Sequence, residues 1–240
     1  MSELWIAKGK KSTRINEVLY IADGKKIPVI TKSNHELDKI FPDIAHQGII
    51  AVTEEFSYTD IGDLTEISLN APGYALLIAA DHITDEGNLG AIIRTATFFG
   101  ADGLIISVED ESVSQSIRDV VDRWGGDFSV SVERDWRGFL KRWKGVVVHL
   151  TMYGFSVDEV VSDVQGVKGD VLVVVGAEKV PPEVYKRADF NVAVGSQPHS
   201  EIAALAVFLD RLFDGSGLNR DFKGKTRIIP SANGKNALSD

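Results

Sequence analysis

The residues best suited to chemistry fall in four short segments, each directly behind an apolar run. The first is Asp81-His82-Ile83-Thr84-Asp85-Glu86-Gly87-Asn88-Leu89-Gly90, followed by a helical pattern that carries Arg94. The others are Leu150-Thr151-Met152-Tyr153-Gly154, Gly176-Ala177-Glu178-Lys179, and Gly195-Ser196-Gln197-Pro198-His199-Ser200-Glu201, the last opening a long apolar helix. Glycines that end buried strands let a ligand approach the backbone closely, although Gly176 and Gly195 also read as ordinary strand-end punctuation. Arg94 sits one and a half turns beyond Asn88. Its guanidinium is permanently protonated, so it suits phosphate binding or stabilisation of a developing oxyanion rather than literal proton abstraction. The plain alternative is a surface arginine paired with an acid. Asn88 either orients Arg94 or caps its helix. His199 and Ser200 open a helix N-terminus where backbone donors converge, and Ser200 also reads as a simple cap. Tyr153 is a stacking platform or a packing residue.

Several chemistries are disfavoured. No segment is a G-x-G-x-x-G or a Walker A loop, which argues against a nicotinamide dehydrogenase, a P-loop NTPase and the glycine-rich methyltransferase fold. There is no G-x-S-x-G elbow, and the five His lack metal-ligand spacing, so no metal site is expected. The chain has no Cys, which rules out disulfides, thiolate metal sites and a cysteine nucleophile and suits a reducing compartment.

The elements that must position these segments alternate strand and helix. Apolar runs at 75–80, 103–108, 145–150, 170–175 and 190–194 are separated by helical patterns at 88–99, 112–123, 134–142, 156–163, 181–187 and 199–213. Such near-continuous apolar strands predict an α/β fold with a parallel sheet covered on both faces. Ligands of such sheets bind at the carboxyl ends of the strands. A smaller α/β pattern precedes it: strands over Leu4–Ala7, Ile27–Ile30 and Gly48–Val52, and helices over Ser12–Ala22 and His35–Ile40. The expected organisation is a small domain over 1–56, a linker over 57–74, the larger domain over 75–216 and a basic tail over 217–240. No secretory leader or run of 18 apolar residues is seen, so a cytoplasmic protein that does not enter a membrane is expected.

Charge is unevenly spread. The net charge is −9, yet residues 1–40 carry eight Lys/Arg against five Asp/Glu and residues 217–240 carry five against two. Either termini are simply basic, or both ends meet a polyanion while an acidic middle holds something else.

Asp81-His82-Ile83-Thr84-Asp85 through Asn88-Leu89-Gly90-Ala91-Ile92-Ile93-Arg94-Thr95-Ala96, with Phe99-Gly100-Ala101 behind, resembles the first signature motif of the SpoU-type (TrmH-like) RNA ribose methyltransferases of the knotted SPOUT superfamily. Ile27-Pro28-Val29 and His46-Gln47-Gly48-Ile49-Ile50-Ala51 resemble the L30e-like RNA-binding domain of bacterial members, trimmed of its opening strand and helix. The second half departs from the bacterial pattern: Lys179 follows Glu178 where glycine is usual, and Ser200-Glu201-Ile202 stands where S-L-N is usual. Trp124-Gly125-Gly126, His149 to Gly154, Gly176 to Pro181 and Gln197 to Glu201 instead resemble the archaeal tRNA cytidine 2′-O-methyltransferases.

The resemblance implies a SPOUT-type sheet with a C-terminal trefoil knot and a methyl transfer from S-adenosyl-L-methionine to a ribose 2′-hydroxyl in tRNA or rRNA. It implies a cofactor pocket built from Leu150, Thr151, Met152, Tyr153 and Gly154, from Gly176, Ala177, Glu178, Lys179 and Val180, and from Val194, Gly195, Ser196, Gln197, His199, Ser200 and Glu201. Arg94, Asn88 and Glu178 take the catalytic positions, and a homodimer is the implied assembly. Lys8, Lys10, Lys11 and Arg14 form the candidate phosphate-contacting cluster, or else a solvated face. The competing readings are a SPOUT-like RNA-binding module without turnover, motivated by the altered motifs, and a base-directed methyltransferase of the same superfamily.

Overall fold

A computed structural model describes residues 2–239 except 11, 43–44, 53–56, 71–74, 82, 84–85, 108, 110–112, 114–116, 118–119, 122–124, 126–127 and 177–179. The chain divides into two compact units, Met1–Ser57 and Tyr58–Asp240.

The first unit holds β1 (Glu3–Ala7), α1 (Thr13–Gly24), β2 (Val29–Lys32), α2 (Asn34–Ile40) and β3 (Ile49–Val52). Its sheet order is β2-β1-β3, with β2 parallel and β3 antiparallel to β1. Leu4 and Ile6 of β1 alternate inward against Ile15 and Ala22 of α1, as period-two and period-3.6 patterns require. Two caps set the helix starts. The Ser12 hydroxyl accepts from Ile15 N at 3.2 Å, and Ser33 with Glu36 forms a reciprocal capping box.

The second unit is built on six parallel strands in the order β6-β5-β4-β8-β7-β9: β4 (Leu76–Asp81), β5 (Gly103–Ile106), β6 (Ser129–Val132), β7 (Val146–Ser156), β8 (Val171–Gly176) and β9 (Phe190–Ala193). The helices are α3 (Ile61–Asn70), α4 (Glu86–Phe99), α5 (Trp136–Arg142), α6 (Val157–Gln165), α7 (Pro182–Arg187) and α8 (Glu201–Leu212). The chain winds outward from β4 to β6, then returns to place β8 between β4 and β7. That reversal is the topological switch point, where α/β sheets bind ligands. Burying roughly 1.5–3 kcal/mol per large aliphatic side chain, the fully enclosed Leu77, Ile78, Leu104, Ile105 and Leu172 hold the sheet centre. Among the described residues no helix is long and apolar enough to cross a membrane.

Three expectations change. The stretch read as a linker carries α3, whose Leu64 is wholly buried and whose methyl would lie 2.6 Å from a Cβ added at Gly103. A side chain at this position of β5 would therefore displace Leu64. The strand β6 was not expected, because Ser129-Val130-Ser131-Val132 has no apolar run. The tail is not loosely patterned: it forms a 3-10 turn (Ser216–Asn219) and a hairpin of β10 (Thr226–Ile229) and β11 (Asn236–Ser239). Most of the expected helix at 112–123 lies outside the described residues.

Candidate functional site

The geometry of the site starts with an irregularity in β7. Leu150 and Phe155 both register with Val192 of β9, so the four residues between them are extruded from the ladder. The ladder resumes at Phe155, and the Gly154 before it lies against β9, where an added Cβ would be 2.4 Å from the carbonyl carbon and oxygen of Asn191. Glycine is required there by close backbone approach.

The extruded loop forms one wall of a cavity of about 300 Å³ at the carboxyl ends of β7 and β8. Leu150, Thr151, Met152 and Tyr153 line it from β7, Val175 and Gly176 from β8, and Pro198, His199, Glu201 and Ala204 from the start of α8. Three segments distant in sequence thus meet. Val180 and Tyr185 close the cavity from the α7 side. Not every expected residue reaches it. Gly154 serves the β7–β9 junction, Val194, Gly195, Ser196 and Gln197 lie off the cavity, and Gly195 has open space where a Cβ would stand. Ser200 caps α8, accepting from Ala203 N at 3.3 Å. Ala177, Glu178 and Lys179 fall outside the described residues, as does Lys11.

A polar network braces the cavity floor. His149 is fully buried, and its Nδ1 stands 2.9 Å from Asn191 Oδ1. Asn191 Nδ2 donates to the Tyr185 carbonyl at 3.0 Å, and the Tyr185 hydroxyl shares a 3.0 Å hydrogen bond with Thr151 Oγ1. The Tyr185 ring meets His149 edge-on at 4.5 Å. Arg187, at the end of α7, donates to the carbonyls of Leu140 (3.1 Å) and Trp143 (2.8 Å), which fixes the helix that presents Tyr185.

Arg94 is elsewhere. It is exposed on α4 and lines a second cavity of about 870 Å³, with Thr97 and Phe98 of its own helix and residues of the tail. Asn88 is half-buried in the first turn of α4, which begins at Glu86, so it does not occupy the cap position. Lys8, Lys10 and Arg14 are exposed around the start of α1 in the first unit, with the Lys10 stem lying against Gly48.

Residues 124–238 match a family model described as tRNA ribose 2′-O-methyltransferase, aTrm56, and residues 1–59 match one described as RNA 2′-O ribose methyltransferase substrate binding. A tRNA (cytidine(56)-2′-O)-methyltransferase from Pyrococcus horikoshii is 56% identical over 152 residues, 61% of this chain and 75% of that protein. One from Methanothrix thermoacetophila is 57% identical over 154 residues, 63% and 86% of the two chains. The chain belongs to the tRNA ribose 2′-O-methyltransferase family.

Two solved structures extend the likeness to the fold of this methyltransferase. An AdoMet-bound rRNA methyltransferase from Sinorhizobium meliloti has a TM-score of 0.55 at 19% identity, over 89% of this chain and 79% of that one. The SpoU methyltransferase AviRb from Streptomyces viridochromogenes, in complex with AdoMet, gives 0.55 at 18%, over 91% and 84%. The catalysed chemistry is RNA methylation at a ribose 2′-oxygen, and the reading without turnover is not favoured. The cavity also includes residues outside the expected set. His149 borders one expected segment and Pro198 lies within another, so both could have been read from the same motifs. Tyr185 stands in a short helix with no motif of its own, and only the fold brings it to Thr151.

Proposed function

We propose that the chain methylates the 2′-hydroxyl of a cytidine in tRNA, the reaction its archaeal relatives are named for, using S-adenosyl-L-methionine held in the cavity at the ends of β7 and β8. The observation that carries this reading is the convergence of the three expected segments on one concave site at the switch point of the sheet. The donor set suits the cofactor. Leu150, Met152 and Val180 offer apolar contact for a purine, Gly176 leaves backbone open at a strand end, and Glu201 supplies a carboxylate for a cationic ligand. When bound, the cofactor supplies an electrophilic methyl group.

The chain's own residues do the rest. Arg94 holds a phosphate of the target and stabilises the negative charge that develops on the 2′-oxygen as its proton leaves to solvent. Arg94 and the three-segment cavity are lined by separate sets of residues within one chain. A homodimer is therefore the assembly in which one chain's arginine can serve a partner's cavity. Residues 1–56 act as a trimmed L30e-like RNA-gripping domain through Lys8, Lys10, Lys11 and Arg14, and the C-terminal part of the sheet carries the family's trefoil knot. Such work on tRNA takes place in the cytoplasm.

The test is tritium transfer from labelled S-adenosylmethionine to total tRNA and ribosomal RNA, with wild type beside Arg94→Ala. Label in tRNA that is resistant to alkali at the modified linkage, and lost in the variant, is the expected result. Label confined to ribosomal RNA overturns the substrate assignment.

A further inference from the structure

The cavity around Arg94 is walled by the C-terminal strip. Arg220, Lys223, Lys225 and Arg227 line it together with Arg94, and Asp221 is the one acid among its described lining residues. We propose that this strip and Arg94 form a second RNA-contacting site, distinct from the N-terminal unit, that grips consecutive phosphates of the substrate. The proposal rests on the reading of the chain as a tRNA methyltransferase.

The strip is held in place at several points, which separates it from an ordinary charged tail. Lys223 forms an antiparallel bridge with Gly125, whose φ is +84°. A Cβ at Gly125 would lie 2.2 Å from the Phe222 carbonyl oxygen, so the strip runs directly over that glycine. At its start, Arg220 donates to the Gly100 carbonyl at 3.1 Å and stacks 4.6 Å from the Phe213 ring. At its end, the strip passes into the β10–β11 hairpin. Arg220 is thereby a structural anchor, and the remaining cations are left for a ligand.

Among the described residues, Arg94, Lys223, Lys225 and Arg227 take part in no ion pair. Asp221 turns its carboxylate to its own strip, accepting from Lys223 N at 3.0 Å. Lys223, in the left-handed region at φ 52°, Lys225 and Arg227, within β10, all line the same cavity. In a chain of net charge −9, four cations with no ion pair among the described residues stand around one cavity and select an anion locally. Phe98 and Ile228, 47% and 65% exposed, add apolar surface on which a base can rest. An isologous contact with a second copy would instead set like charges against each other.

The experiment measures tRNA affinity as a function of salt for the full chain and for the triple variant Lys223→Gln, Lys225→Gln, Arg227→Gln. Glutamine keeps the stems and the exposed strip in place. Each lost phosphate contact lowers the slope of log K against log salt by about 0.7–0.9, so a fall of about 2–3 is expected, with affinity for S-adenosylmethionine retained. Lys235→Gln, in the same tail but off the cavity, leaves the slope as in wild type. An unchanged slope in the triple variant overturns the proposal, as does an equal fall in Lys235→Gln. So does a change in oligomeric state without a change in slope, which assigns the face to chain–chain contact. A wild-type chain that binds no tRNA overturns this proposal together with the substrate reading, whereas normal tRNA binding with an unaltered slope overturns this one alone.

Discussion

The Thr151 hydroxyl and the Tyr185 phenol stand 3.0 Å apart, and this hydrogen bond ties the extruded loop of β7 to α7. The loop is the part of the cavity with least support from the sheet ladder, since its four residues have left the pairing with β9. Tyr185→Phe removes the tie without changing the ring that packs on His149. A hydrogen bond of this kind contributes about 1 kcal/mol net, close to a fivefold change in an equilibrium constant. We expect cofactor affinity measured by calorimetry to fall by roughly that factor, with little change in Tm. A lowered Tm with unaltered affinity would show the tie to be structural only.

Gly154 sets the other edge of the same loop. Its Cβ position overlaps backbone of Asn191 and Val192, which no side-chain movement can relieve. Gly154→Ala therefore forces β7 and β9 apart, at a cost of about 1–3 kcal/mol as overpacking typically requires. Thermal unfolding should show the loss, and equilibrium dialysis with labelled cofactor should show weaker binding at temperatures where the chain is still folded. Wild-type values in both measurements contradict the close approach.

Much of this was legible in the residues themselves. The buried strands β4, β5 and β8 announce themselves as unbroken apolar runs, and the segments behind β7, β8 and β9 each contribute residues to one cavity. What escaped has physical reasons. β6 is short and alternates Ser with Val, so it carries half the signal of a buried strand. Among its described side chains α3 offers Ile61 and Leu64 to the core, and Leu64 docks where Gly103 of β5 carries no side chain, a contact that no local pattern marks. The tail hairpin is exposed along both strands, so no burial pattern marks it. The exposed face of α4 turns Arg94 to the C-terminal strip. Its neighbours there could not be read from spacing.

Arg94→Lys separates charge from geometry. Lysine keeps the positive charge but lacks the planar fork that binds phosphate bidentately. If the fork both holds the target and stabilises the oxyanion, kcat falls by about 10²-fold or more, the typical cost of losing one oxyanion donor. Single-turnover methylation with saturating tRNA measures it, and near-normal turnover in the lysine variant sinks this role. Mixing Arg94→Ala chains with chains whose cavity is blocked by His199→Trp adds a test of sharing between chains. Activity recovered on mixing is expected of a homodimer that pairs one chain's arginine with the other's cavity; no recovery contradicts it.

Asp102 gives a prediction in pH. Its Oδ2 accepts from Leu76 N at 2.8 Å, and burial raises its carboxyl pKa above the ordinary 3.8, against the lowering effects of that backbone hydrogen bond and of Arg220. The folded chain therefore binds this proton more readily than the unfolded one. Through the window between the ordinary and the raised value, stability from this group falls as pH rises, and above the raised value the burial penalty on the charged form is fully present. Asp102→Asn keeps an oxygen that can accept from Leu76 and carries no charge. Urea unfolding should find the variant more stable than wild type at pH 7, with the difference shrinking as pH drops through the raised value toward 3.8. A variant less stable at pH 7 would mean that the attraction to Arg220 outweighs burial, and that the carboxylate is an anchor for the strip rather than a strain at the edge of the sheet.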